Sequence, residues 1–380
     1  MGKRARDNST DHISRRADQI SRREFFRKSL SLTTALGASS LIAGSAVKSE
    51  IADALESATL AGLGGSVGNP SPSPAPRPSV SRHLSRATVI LARKSDRGSD
   101  LQAFYRLLVN SSLKRLAKTE RPEDAWAGFF KPDDVVAIKV NTITGRVLST
   151  SPALVSVIAA GLVSCGVRPN KIIVWDRASS ELSAAGFRVN LAKEGPLCFG
   201  TDATSAGYET SPTILGAVGS CFSRIVTEEA TALINVPILR EHSAAGVSIA
   251  LKNNYGAIHN PNKYHADGCS PFVADVNTHP DLKKKTRLVI CDALKVQFHS
   301  GPGYKPKWLS DFGGVLISAD PVALDTVGTE QIDKLRKTAG LRSLGEERRY
   351  PRYLSVASDG SHALGISDRS RIDVTTMEPA

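Results

Sequence analysis

The sequence predicts an α/β protein: a mostly parallel sheet with helices on both faces and long polar connections at the strand C-terminal ends. Three observations carry this. Val135-Val136-Ala137-Ile138-Lys139-Val140 is a nearly continuous apolar run, mainly β-branched, as expected of an inner parallel strand buried on both faces. Ser151-Pro152 then opens a helix whose apolar positions Leu154, Ile158, Leu162 and Cys165 form one stripe, with Gly166 where a C-terminal stop belongs. Lys171-Ile172-Ile173-Val174-Trp175 is the next strand, so residues 135–176 make a βαβ unit.

The remaining elements follow in order. Thr88-Val89-Ile90-Leu91-Ala92 is β-prone, and Ser99 with Gln102 makes a capping-box pair ahead of Leu101, Phe104, Leu108, Leu113 and Leu116. Strands are expected at 232–236, 288–291 and 315–318, the last leading through Asp320-Pro321 into a helix that reaches roughly Lys337. Apolar strands separated by helices imply mostly parallel pairing. Residues 188–223 and 252–279 are long and turn-rich, and such connections are where α/β proteins bind ligands.

Residues 1–46 have the order of a secretory signal. Arg22-Arg23 precede Phe25-Phe26, an uncharged stretch runs from Ser29, and Gly44-Ser45-Ala46 offers small residues for cleavage. The arginine pair before aromatics resembles the twin-arginine class, which implies the twin-arginine translocation machinery as a partner and the periplasm or cell envelope as destination. The apolar run is short for a spanning helix of ~20 residues, so the membrane is met only through this segment if it stays uncleaved. Residues 47–86 read as a Pro/Ser/Gly-rich linker, since Gly62–Ser79 cannot build a helix or inner strand. Residues 87–380 read as a single α/β domain.

Composition narrows the function. The chain has 380 residues, 41% hydrophobic and 23% charged, an ordinary globular balance. Its net charge of +12 is spread out, with no basic tract interleaved with aromatics. That argues against nucleic acid and suits a small-molecule ligand that is anionic. The five cysteines (Cys165, Cys198, Cys221, Cys269, Cys291) contain no C-x-x-C pair, so there is no iron–sulfur motif. Cys198 with Cys221 is the first candidate for a disulfide; Cys165 and Cys291 read as small buried residues.

Ligands of open parallel sheets bind at strand C-terminal ends. Those ends carry Lys139, Asn141, Thr142 and Thr144; Asp176 and Arg177; Arg240, Glu241 and His242; Asp292 and Lys295; and Asp320. The densest polar segment, Leu251–Asp267, adds Lys252, Asn253, His259 and His265. His242, His265 and Asp292 are the expected catalytic set, the histidines serving as acid/base groups or ligands of a metal ion. Lys139 and Lys252 would hold an anionic group, Asn141, Asp176 and Asn253 would line the ligand, and Asp292 and Asp320 would orient the charged groups. Asp320 also reads as a plain helix cap and Lys139 as a lysine snorkelling from an edge. The spacing of His259 and His265 matches no standard metal template, and no phosphate-loop, dinucleotide or zincin motif occurs.

Taken in order, the strand Val135–Asn141, the Pro152 helix, the strand ending at Asp176, Val236-Pro237 with His242, Lys252-Asn253 to Gly256 with His265, Asp292-Ala293, and Ser318–Asp325 resemble domain-of-unknown-function family 362. The resemblance runs from about Asp134 to Ile332, with Ala319-Asp320-Pro321-Val322-Ala323-Leu324-Asp325 its strongest part. Some members carry ferredoxin-like cysteine clusters, which this chain lacks, and Arg240 stands where a lysine is usual before the histidine. The resemblance implies one α/β domain and leaves the reaction open. The expected function is an exported protein binding a small anionic ligand with a metal or cofactor, a candidate enzyme; the alternative is a non-catalytic cell-envelope protein that binds a partner or polysaccharide.

The export reading has a direct check. A translocase that reads guanidinium geometry rather than charge will retain an Arg22→Lys/Arg23→Lys precursor in the cytoplasm, as seen by fractionation; undiminished export contradicts it.

Overall fold

A computed structural model describes residues 85–192 and 194–380. The signal and nearly all of the linker expected from the sequence lie outside the described residues.

The sheet grows around the βαβ unit. Strand β1 (Ala87–Arg93) leads into helices α1 (Leu101–Ala117) and α2 (Pro122–Phe129). The unit itself is β2 (Val136–Lys139), α3 (Pro152–Ser164) and β3 (Ile172–Asp176), followed by α4 (Ser179–Ala185) and β4 (Leu197–Gly200). After a hairpin of β5 (Thr213–Leu215) and β6 (Val218–Ser220) come β7 (Ala232–Asn235), β8 (Ile238–His242) and β9 (Gly246–Ser248). The short helices α5 (Ala250–Asn253), α6 (Phe272–Asn277) and α7 (Pro280–Lys285) precede β10 (Thr286–Gln297) and β11 (Leu309–Ser318). Helices α8 (Pro321–Thr338) and α9 (Tyr353–Ser358) and strand β12 (Ile372–Met377) complete the chain.

The main sheet has the order β12-β1-β11-β10-β7-β2-β3-β4, with β8 beside the far half of β10 and β9 beside β8. Pairing is parallel from β10 through β7, β2 and β3 to β4. Strand β11 runs antiparallel to both β10 and β1. The reason is the connection 298–308, which contains no α-helix and is too short for a crossover. The fold is therefore α/β with a mostly parallel mixed sheet.

Both faces are covered. Val136, Ile138, Ile172 and Val174 pack with Leu108 and Leu113 of α1 and with Leu154, Ile158 and Leu162 of α3. The alternate residues Ala137, Ile173 and Trp175 pack on the other face with Val322, Leu324 and Val327 of α8 and with Val273 and Val276 of α6. Strands buried on both faces need the continuous apolar runs seen in the sequence.

Some local expectations are corrected. Asp100, not Ser99, caps α1, accepting the Gln102 and Ala103 N–H groups. Ser151 occupies the cap position of α3, but its side chain makes no capping bond; its N–H goes to Asp292 instead. Cys198 and Cys221 are not joined, and all five cysteines are free. The stretch 188–223 holds β4, β5 and β6 rather than one long loop. No helix among the described residues is long and apolar enough to cross a membrane.

The topology selects one place on the sheet. The chain leaves β2 outward through β3 and β4, then returns to β7 on the opposite side of β2. The C-terminal ends of β2 and β7 thus flank a topological switch point, where open α/β sheets leave a crevice for ligands. Register sets Lys139 beside Asn235 there, with Trp175 on its other side.

Candidate functional site

Two groups of polar side chains meet at this edge. The first centres on Lys139, whose Nζ lies 2.7 Å from Asp176 Oδ1, with side chains only 4% and 8% exposed. Lys139 Nζ also donates to the Val140 carbonyl at 2.6 Å. Asp176 accepts further bonds from the Thr142 N–H and hydroxyl and from the Arg177 N–H. A buried ion pair needs further hydrogen bonds to offset its desolvation, and here the carboxylate accepts four bonds and the ammonium donates two. Above the pair lies Gly256: a Cβ there would sit 2.6 Å from Lys139 Cε and 2.9 Å from Asp176 Oδ1. The segment after α5 therefore approaches so closely that only glycine fits.

A line of amides continues from the pair. Asn141 Nδ2 donates to Asn253 Oδ1, Asn253 Nδ2 to Asn235 Oδ1, and Asn235 Nδ2 to the Ala250 carbonyl, at 3.0, 2.8 and 2.7 Å. The buried Asn141 Oδ1 has no partner. The turn carrying Lys252 and Asn253 is held from below by Asp325 of α8, whose carboxylate accepts the Ala250 and Leu251 N–H groups. Burial raises the Asp325 pKa to about 8.

The second group is cationic. His242 and His265 stack with ring centroids 5.7 Å apart and planes at 27°. His242 Nδ1 accepts the Ala244 and Ala245 N–H groups, which assigns its proton to Nε2. His265 takes the opposite tautomer: Nδ1–H donates to the Pro261 carbonyl, and the Nε2 lone pair faces Lys252 Nζ at 3.1 Å. Lys252 Nζ also sits 4.0 Å from the Tyr255 ring centroid. Burial, reinforced by the charges of Lys252, Arg240 and His265, lowers the His242 pKa to about 2, so this ring stays neutral. Burial and the Arg240 charge bring Lys252 down to about 8 against an opposing effect of Cys269, and burial brings Arg240 to about 10.

These charges lack acidic partners. Arg240 is 3% exposed, donates from Nη1 to the Pro302 carbonyl, and leaves Nε buried and unbonded. No carboxylate forms an ion pair with Arg240 or Lys252 among the described residues. Glu241, between Arg240 and His242 on β8, is taken by Arg349 and the Gly301 N–H. The site holds two buried cations, one N–H donor at His242 and no carboxylate in contact with either cation among the described residues, Asp176 acting on Arg240 only through space.

Of the residues anticipated from the sequence, Lys139, Asn141, Asp176 and Asn253 are brought together in the first group, and His242, Lys252 and His265 in the second. Asp292 stands apart from both histidines. It accepts from Tyr105 Oη, Ser151 N–H and Leu294 N–H, and thereby ties β10 to the start of α3 behind the Asn141 loop. Asp320 lies at the end of β11, which runs against β10 and so ends at the opposite edge. There it caps α8 through the Ala323 N–H and accepts the Ile366 N–H. Sequence reasoning placed Arg240 at a strand end without a role, and passed over Asn235, Tyr255, Gly256 and Asp325. Only Asp325, a carboxylate inside an apolar helical stripe, left a readable signal.

The donor set does not suit a metal ion. His242 Nε2 carries its proton, the His265 Nε2 lone pair is engaged by an ammonium, and no group of three or more His, Cys, Asp or Glu side chains poised for a metal occurs among the described residues.

A family model described as Domain of unknown function (DUF362) matches residues 136–330, a stretch that contains every residue of both groups. No curated protein matches the chain.

The two groups should respond oppositely to mutation. Asp176→Asn leaves a buried ammonium uncompensated and should cost on the order of 3–5 kcal/mol in urea unfolding. Arg240→Met removes a buried charge that has no ion-pair partner, so it should leave stability unchanged or raise it. Equal losses from both would mean that Arg240 is a structural ion-pair member.

Proposed function

The chain belongs to the family described as Domain of unknown function (DUF362), and from the geometry within the matched segment we propose that it binds a small anion at the switch point. The observation that carries this reading is the burial of Arg240 near Lys252 with no carboxylate in contact with either. Burying a charge without a counterion is costly, and proteins avoid it unless a ligand supplies the opposite charge. An arriving carboxylate or phosphate would meet the Arg240 Nε–H, the Lys252 ammonium and the His242 Nε2–H, three donors that charge makes strong. The unpartnered Asn141 Oδ1 would accept a hydroxyl or amide proton from the remainder of the ligand.

The arrangement also supports an enzymatic reading. Lys252 loses its proton near neutral pH and faces a histidine lone pair at 3.1 Å, which is the geometry of a proton-transfer pair. The exported character of the protein rests on Arg22-Arg23 and the uncharged stretch behind them, with the twin-arginine translocation machinery as partner and the periplasm or cell envelope as its place of work.

Malonate titrated calorimetrically from pH 6 to 9.5 tests the anion reading. Charged Lys252 is the binding form, so affinity should be full at low pH and decline as pH rises past about 8. The bound anion stabilises the ammonium and moves that decline upward in the complex. Arg240→Met and Lys252→Met should each weaken binding roughly 10- to 100-fold, the worth of one charged hydrogen bond, and the lysine variant should also lose the pH dependence. Unaltered binding in both variants contradicts the reading.

A further inference from the structure

We propose that Lys252 forms an imine with the carbonyl carbon of a small 2-oxo acid whose carboxylate is held by Arg240, an inference that rests on the anion site just described. The chain presents two buried lysines at this edge, and their surroundings separate their roles. Lys139 Nζ is fixed between Asp176 Oδ1 at 2.7 Å and the Val140 carbonyl at 2.6 Å, so its lone pair is not offered to any ligand. Lys252 Nζ has no carboxylate partner; its neighbours are the face of Tyr255 at 4.0 Å and the lone pair of His265 Nε2 at 3.1 Å.

Those neighbours are what an amine nucleophile needs. It must shed a proton, and His265 is aligned to take it: the Pro261 carbonyl holds its Nδ1–H and so leaves the Nε2 lone pair toward the amine. Burial and the adjacent guanidinium disfavour the ammonium form, and a lysine with a pKa near 8 is partly neutral at neutral pH. Tyr255 is itself locked by the bond from its hydroxyl to the Tyr264 carbonyl, which keeps the wall in place. His265 is half-buried while Lys252 and Arg240 are buried, so a ligand would approach past the histidine.

The step balances without a redox partner. Lys252 Nζ first gives one ammonium proton to His265 Nε2, the lone pair so freed attacks the carbonyl carbon, and a second N–H proton moves to the carbonyl oxygen, giving a carbinolamine. The imidazolium proton then returns to the new hydroxyl, which leaves as water, and the nitrogen lone pair closes the C=N bond. Ammonium and carbonyl become protonated imine and water. The neutral ring of His242, with its proton on Nε2, donates to the carboxylate or to the carbonyl oxygen as negative charge gathers there.

Borohydride trapping decides the matter. Full-length protein is incubated separately with glyoxylate, pyruvate and 2-oxoglutarate, reduced with sodium borohydride, digested and read by mass spectrometry. The expected result is a reduced adduct on Lys252, approaching one per chain with at least one of the three acids. Its formation should rise with pH toward 8, opposite in sign to malonate affinity, because the neutral amine reacts and the ammonium binds. Lys252→Arg should lose the adduct. His265→Gln should slow trapping about 100-fold, the usual worth of a proton acceptor. Absence of a Lys252 adduct with all three acids, or adducts scattered evenly over surface lysines, overturns the imine while malonate binding leaves the anion site standing. Failure of malonate to bind the unaltered protein removes the anion site and this proposal with it.

Discussion

The buried pair of Lys139 and Asp176 is the constraint on which the rest of the site depends. It joins the ends of β2 and β3, and through the Thr142 N–H and hydroxyl it fixes the start of the loop leading to α3. Because its members are so nearly excluded from water, a lost partner would leave a charge that the surroundings cannot solvate. The pair also dictates sequence elsewhere. Gly256 must be glycine because its backbone lies against both partners, and that contact seats the turn holding Lys252 and Asn253. A bond between two neighbouring strands thus positions a segment far along the chain, Gly256 lying 80 residues beyond Asp176.

Beside this satisfied pair lies a second set of charges that is left unsatisfied. Stability alone gives no reason to bury Arg240 with an unbonded Nε, or to set Lys252 near it with only a histidine and a tyrosine for company. Carboxylates are at hand but committed: Asp176 to Lys139, Glu241 to Arg349, Asp325 to the start of α5. Of the two buried lysines, one is tied to a carboxylate and the other is pushed toward neutrality by burial. The two stacked histidines keep opposite tautomers, each fixed by backbone groups on its own connection.

The fold was largely legible in the sequence because inner parallel strands are apolar on both faces, as Ile172–Asp176 and Ala232–Asn235 show. The helix at Asp320-Pro321 was legible for a local reason, cap followed by proline. Strand β8 was not, since Ile-Leu-Arg-Glu-His breaks the apolar pattern; its three polar residues are buried for the site and for the Arg349 pair. The direction of β11 was hidden too, because the same Val315–Ser318 run suits either sense and only the connection before it decides. That one reversal moved Asp320 to the far edge. For the site, residue type at strand ends found Lys139, Asp176 and His242, and the dense polar segment yielded Lys252, Asn253 and His265. What remained unread were contacts made only in three dimensions, such as Asp325 beneath α5 and Gly256 above the ion pair.

The central claim is that Arg240 and Lys252 are cations awaiting an anion. A crystal structure of the protein grown with malonate measures this most directly. The account predicts a carboxylate oxygen within hydrogen-bond distance of both Arg240 Nε and Lys252 Nζ, roughly 2.7–3.2 Å. A carboxylate of the chain itself in that position, or malonate bound elsewhere with Arg240 Nε still unmet, would contradict it.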